Sequence, residues 1–187
     1  NASMALREDL KRYTLADLSG KFYKGKYCCD FTTKPGSGVP DPKIHFAYGY
    51  ATQLVVLDEK GSISKVVAAH DAGKIMNRML FEVQMQGSIH MGLGYALTEN
   101  LPMEEGRPLS LKFKDLGILR ASAMPDVEVI GIEEKDPIGP YGAKGIGEIG
   151  MVPTAAAVAS AYFAFDGKLR TSLPLSPPEP DKMNAKQ

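Results

Sequence analysis

Residues 136–151, DPIGPYGAKGIGEIGM, place one acidic side chain, Glu148, late in a run that holds five glycines and two prolines. Such a segment is a loop whose main chain is built for close approach, because glycine reaches unusual dihedrals cheaply and leaves the backbone bare. Ahead of a helix start, exposed N–H groups and the positive end of the helix dipole also favour a bound anion. Three chemistries compete. Gly145, Gly147 and Gly150 satisfy the dinucleotide pattern G-x-G-x-x-G, and Asp166 stands where a ribose-binding acid belongs. That pattern needs a strand running into the first glycine and a parallel strand after the helix, whereas the strand expected here ends about a dozen residues early and none follows Gly167. A Walker A phosphate loop fails at once, since Lys144 lies between Ala143 and Gly145 where Gly-Lys-Ser/Thr is required. The third chemistry is general-base catalysis by Glu148. Apolar Ile146, Ile149 and Met151 would desolvate it in part, and desolvation raises a carboxyl pKa towards the range useful to a base. The plainer alternative is a glutamate that merely stabilises the helix dipole. The residues alone leave these two level.

The elements that must position this loop are legible around it. VEVIGIE, residues 127–133, alternates as a strand and leads in. Residues 152–166 predict a buried helix, with Pro153 in its first turn, apolar side chains on every side and Gly167 as its stop. Residues 45–58 and 63–70 alternate as two strands joined by Glu59-Lys60-Gly61-Ser62, a hairpin. Residues 78–99 predict a helix of about six turns. Gly87, Gly92 and Gly94 interrupt it, each at a cost of about 1 kcal/mol against alanine. Gln84, Gly87, Met91 and Gly94 share one side, so something approaches that backbone closely; tight helix packing is the plainer explanation. Residues 4–19 predict one or two short helices ending at Gly20, and residues 32–42 and 102–108 predict loops. The proline-rich stretch after Leu175 predicts an extended or disordered tail.

Bulk properties exclude several classes. Twenty-two basic residues balance 22 acidic ones, with no basic cluster of the kind nucleic-acid binding requires. No apolar run approaches the roughly 20 residues of a membrane span, and the amino terminus is not a signal peptide. The two cysteines, Cys28 and Cys29, are adjacent, so they neither bridge readily nor match a zinc or iron–sulfur spacing. A reducing, cytoplasmic setting is expected. His45, His70 and His90 share no ligand spacing and read as hydrogen-bonded structural residues, so no metal ligand is expected among the side chains.

The string GAKGIGE followed by VPTAAAVASAYFAFDG resembles the carboxyl-terminal signature of the xanthine dehydrogenase and aldehyde oxidase family, the molybdenum hydroxylases. Three further segments agree in order: FAYGYATQLVVLDEKGSISKVVAAHDAGKIMN, VQMQGSIHMGLGYALTEN and MPDVEVIGIEEKDPIGPYGAKG. Together they cover most of residues 46–167. The resemblance implies that this is a carboxyl-terminal piece of a molybdenum-binding subunit, most like a bacterial xanthine dehydrogenase. It implies a molybdenum–pterin cofactor, molybdopterin or its cytosine dinucleotide, in the full enzyme. In that setting Glu148 takes a proton from a metal-bound hydroxyl, water supplies the oxygen, and electrons leave through iron–sulfur and flavin subunits or domains. Gln84 matches a family glutamine that contacts the pterin, and Gly87 lies beside it. Ala143, Lys144, Gly145, Ile146 and Gly147 should line the cofactor through backbone contacts, with Lys144 carrying no chemical role of its own. Two departures, Ile149-Gly150 where the family has a proline pair and Asn77-Arg78 where it has Asn-Pro, suggest a divergent branch, one acting on purines.

The expected fold is α+β, with small mixed sheets covered by helices, of the xanthine dehydrogenase cofactor-binding type. Residues 1–37 are expected to form a helical arm, 38–177 the cofactor-binding domain and 178–187 a tail. The expected function is oxidative hydroxylation of a purine or aldehyde by the complete enzyme, whose remaining molybdenum subunit and small-molecule substrate are the partners. By itself the chain is expected to be inactive and empty of molybdenum. The rivals are a non-catalytic cofactor or assembly module of the same fold and, less well supported, a dinucleotide-binding domain.

Overall fold

The computed structural model describes residues 14–20, 22, 24, 32–34, 36–43 and 47–178. The chain divides into two compact units, Asn1–Phe46 and Ala47–Gln187. In the first, α1 (Leu15–Leu18) opens with a capping box in which Thr14 and Asp17 satisfy each other's backbone N–H groups. It is followed by Gly20 in the left-handed region, where the helical pattern was expected to stop. The residues of that pattern before Thr14 lie outside the described residues. The expected loop at 32–42 closes on itself, Thr33 N–H donating to the Lys43 carbonyl at 2.7 Å.

The second unit holds the predicted hairpin, β1 (Ala51–Leu57) and β2 (Ile63–Asp71), antiparallel with Val55 opposite Val66. Its turn is fixed by Asp58, whose carboxylate accepts from the Lys60 and Ser62 N–H groups, and by Gly61 at φ +81°. Strand β1 begins at residue 51 rather than 45, and residues 44–46 lie outside the described residues. A crossover through α2 (Arg78–Leu97) returns the chain as β5 (Asp126–Ile132), parallel to β2, so the sheet order is β1-β2-β5. Asn77 caps α2 by accepting from Leu80 N–H at 3.0 Å. The predicted loop near Pro102 contains a further small ribbon, β3 (Met103–Glu104) with β4 (Arg107–Pro108). Its two central residues, Glu105 and Gly106, both take positive φ, which suits a two-residue hairpin turn. Among the described residues the three-stranded sheet carries helical cover, whereas both strands of the ribbon are exposed.

The last helix, α3 (Thr154–Asp166), ends on left-handed Gly167 as expected. Two details differ. Pro153 occupies the cap rather than the first turn, and the helix is not buried all round. Thr154, Val158 and Tyr162, spaced four apart, face inward, while Phe163 is 51% exposed. Alanine fills the flanks, so the apolar composition exaggerates the buried surface. The inward stripe joins Val55, Val66, Ile89 and Leu93 in the main core. The segment after α3 is packed as far as Pro178, which includes the first residues of the stretch after Leu175 that was expected to be an extended or disordered tail. Leu175 enters that core, its N–H donates to the Ala96 carbonyl at 2.7 Å, and Arg170 reaches back to the Ser176 carbonyl. Residues 179–187 lie outside the described residues. No described helix is long and apolar enough to cross a membrane.

Candidate functional site

The glycine-rich loop is fastened at its beginning to the end of the central strand. Lys144 N–H donates to the Ala72 carbonyl and Lys74 N–H to the Gly142 carbonyl, at 3.0 and 2.8 Å. Gly73 makes this approach feasible. It sits at φ +59°, and a Cβ there would lie 2.2 Å from the Gly142 carbonyl oxygen. Asp136, buried, ties the Ile138 and Gly139 N–H groups and so shapes the entry.

Inside the loop, side chains sort by polarity. Ile146 and Ile149 turn down onto a second apolar cluster built from Ala72, Phe81 and Met85. Gly150 lies flat on α2, where a Cβ would come 2.5 Å from that of Ser88. Between these anchors Glu148 is turned outward and is exposed. Its carboxylate meets no hydrogen-bond or ionic partner among the described residues. The expected partial desolvation of Glu148 is therefore corrected. The neighbouring isoleucines lower their own surface rather than cover the acid, since successive side chains in a tight loop cannot all point inward. A turn from Glu148 to Met151, closed at 3.1 Å, then leads into α3.

Gln84, expected to contact a pterin, meets the loop itself. The exposed Gln84 side chain donates from Nε2 to the Gly147 carbonyl oxygen at 2.8 Å. Gln84, Ala143, Lys144, Ile146 and Gly147 border one open cleft of about 650 Å³, whose floor is largely apolar, with Phe81 and Leu80. Glu148 follows directly on this lining. Gly145, also expected to line the cofactor, is exposed but is not among the residues bordering the cleft, and Cβ atoms at Gly145 or Gly147 would meet nothing within 4 Å. The bareness of these two positions is thus not demanded by packing within the chain.

Two other predicted residues sit differently. Gly87 faces a separate cavity with Gln86 and His90, and nothing packs on it within 4 Å. The close helix approach is instead made at Gly92, where a Cβ would be 2.6 Å from Cβ of Thr154. Lys144 borders the cleft, but its ammonium is buried against Asp71 at 2.6 Å and the Tyr48 carbonyl at 2.9 Å. Burial alone would push the Asp71 carboxyl up. The Lys144 hydrogen bond and charge, with the N–H groups of Gly73 and Glu134, outweigh it and hold the group below its ordinary value.

Of the histidines, His90 bonds the Leu119 carbonyl at 2.9 Å and His70 is fully buried beside Gln53; His45 lies outside the described residues. Burial holds the His70 imidazole below its ordinary pKa. No cluster of metal-ligating side chains occurs among the described residues. Asp166, the would-be ribose acid, is buried in an ion pair with Arg170 at 2.7 Å, and no strand follows α3 among the described residues. Sequence reasoning missed Gln53. Its signal was a polar residue on the inward period of β1, with Val55 and Leu57.

A family model for the molybdopterin cofactor-binding domain matches residues 8–125, ending ahead of the loop that carries Glu148. The gamma subunit of the 6-hydroxypseudooxynicotine dehydrogenase complex of Paenarthrobacter nicotinovorans is 33% identical over 141 residues, 72% of this chain and 18% of that protein. A putative xanthine dehydrogenase molybdenum-binding subunit of Escherichia coli is 32% identical over 120 residues, 63% of this chain and 16% of that one. Among solved structures, the aldehyde oxidoreductase of Desulfovibrio desulfuricans matches with TM-score 0.59 at 26% identity, over 68% of this chain and 14% of its own. Quinoline 2-oxidoreductase of Pseudomonas putida matches with TM-score 0.56 at 27% identity, over 60% and 15%. The chain spans less than a fifth of the length of these relatives. With its mixed sheet, crossover helix and glycine-rich loop, it belongs to the molybdopterin cofactor-binding domain family and has the fold found in the aldehyde oxidoreductases.

Proposed function

We propose that this chain forms one wall of the active site of a molybdenum hydroxylase that oxidises a purine, xanthine first, or an aldehyde, with Glu148 as general base. The observation that carries the reading is the bare main chain at Gly147, on the cleft border and bonded by Gln84, with bare Gly145 two residues before it and an exposed carboxylate directly after it. A molybdenum–pterin group bound there supplies two-electron oxidation of a substrate C–H bond, with water as the source of oxygen. Gly145 and Gly147 let that group meet the loop backbone without a clash. Gln84 Nε2 fixes the Gly147 carbonyl, and its Oε1, which meets no donor among the described residues, is free to receive one from a ligand. Glu148 accepts the proton that must leave the attacking hydroxyl. Its desolvation comes from substrate and from the remainder of the molybdenum subunit rather than from this chain. Iron–sulfur and flavin subunits or domains take the electrons, in a soluble cytoplasmic complex.

The test is Glu148→Gln in the full-length complex. Loss of a positioned base costs about 10²–10⁴-fold in kcat, with molybdenum content unchanged. Purine or aldehyde turnover within ~tenfold of wild type removes Glu148 from the mechanism. It would favour the non-catalytic module, which an exposed, unpartnered Glu148 also suits.

A further inference from the structure

Glu148 is bracketed by two carbonyl groups, and each is held by a glutamine from a different element. On one side Gln84 of α2 donates to Gly147, and on the other Gln53 of β1 donates from Nε2 to the Gly150 carbonyl, also at 2.8 Å. Gln53 is held in turn. Its Nε2 lies 3.1 Å from His70 Nε2, and since the amide nitrogen only donates, His70 Nε2 must accept, which assigns the imidazole proton to Nδ1. The opposite amide orientation fails, because Oε1 would then sit 2.8 Å from the Gly150 carbonyl oxygen, acceptor against acceptor.

This arrangement is costly. Gln53 Oε1 and His70 Nδ1 are buried with no partner among the described residues, and a buried polar atom left unsatisfied is destabilising. An apolar pair on this inward face would be more stable, with Ala68 and Val55 as immediate neighbours. What the polar pair supplies is the bond to Gly150. There the loop can hardly yield, because Gly150 is pressed on Ser88 from below and its carbonyl also meets Thr154 Oγ1 at 3.4 Å.

We propose that Gln53, oriented by His70, is a positioning residue: with Gln84 it locks the carbonyls on either side of Glu148 and so sets the direction of that carboxylate. The effect on turnover rests on the reading of Glu148 as base; the effect on loop rigidity does not.

The test is made in the full-length complex with Gln53→Met, which keeps length and removes the donor, and with Gln53→Glu, which keeps length but turns an acceptor towards both the Gly150 carbonyl and the unprotonated His70 Nε2. Both variants should accelerate amide exchange in peptides spanning 144–152 by about tenfold or more while the β1–β2 hairpin stays protected. Both should lower kcat by ~tenfold with KM within about twofold of wild type, as expected when alignment rather than binding is lost. Val55→Ala, a cavity two residues along the same face, is the control and should leave loop exchange and kcat of the folded enzyme unchanged. Wild-type loop exchange in either glutamine variant overturns the lock, as does an equal loosening by Val55→Ala. If one variant fails to assemble, the other decides. Should Glu148→Gln prove active, the base is lost but the exchange result still stands.

Discussion

The Lys144 ammonium lies 2.6 Å from Asp71 Oδ2, with the two side chains only 8% and 4% exposed, and it bonds the Tyr48 carbonyl as well. One residue thus ties the start of the glycine-rich loop to the end of β2 and to the segment before β1. Removing one partner of a buried pair strands the other charge, at about 3–5 kcal/mol. Lys144→Met and Asp71→Asn should each raise amide exchange in peptides covering 71–74 and 142–145 of the full-length subunit. The double variant Lys144→Met with Asp71→Leu should recover most of that protection. Equal loss in single and double variants would mean that the pair contributes nothing as a pair.

The same region sets the acid response, in two stages. His70 is held below its ordinary pKa by burial, so the unfolded chain binds a proton that the folded one resists. Stability from this group is present above about pH 6.5 and declines as pH falls from there through the lower folded value. Asp71 is also held low, so its contribution is present above its unfolded value near 3.9 and is lost only as pH falls through the still lower folded value. Exchange protection of β2 should therefore begin to weaken as pH falls below about 6.5, ahead of the Asp71 stage, and that first stage should vanish in His70→Phe. Wild-type and His70→Phe profiles that coincide below about pH 6.5 would contradict the His70 assignment.

The sequence made the scaffold legible because alternation and helical spacing report burial directly. β2, α2 and β5 fall within a residue or two of where those patterns placed them. Where composition stands in for geometry, the reading drifts. α3 is rich in alanine and aromatics yet buries one stripe, because apolar residues cover exposed flanks as readily as buried ones. Ile146 and Ile149 do pack inward, but local neighbours cannot say which way Glu148 turns between them. The loop was visible as a loop, whereas its fastenings were not. Lys144 finds Asp71 across 73 residues, and Gln53 finds Gly150 across 97, separations that no local pattern records. The resemblance assigned Gln84 and the loop to one cofactor but not to each other, so their hydrogen bond came only from the structure; the glycine spacing of α2 suggested only that something lay close, and for Gly92 it is α3.

The glycines separate packing from cofactor. At Gly150 and Gly92 a methyl group would meet Ser88 and Thr154 at 2.5 and 2.6 Å. Gly150→Ala and Gly92→Ala should each destabilise the fold by about 1–3 kcal/mol, as overpacking does. Gly145 and Gly147 have ordinary dihedrals and empty space where Cβ would go. On stability alone Gly145→Ala and Gly147→Ala should be neutral or better, since alanine restricts the unfolded chain by about 0.4–1 kcal/mol. If a molybdenum–pterin group rests on that backbone, the same two methyls should lower the molybdenum and pterin content of the purified complex, leaving β2 exchange at the wild-type level. Stability and cofactor content would then fall in opposite pairs of variants. Full cofactor loading in both Gly145→Ala and Gly147→Ala would remove the bare loop as a cofactor rest and leave its two unexplained glycines without a role in this chain.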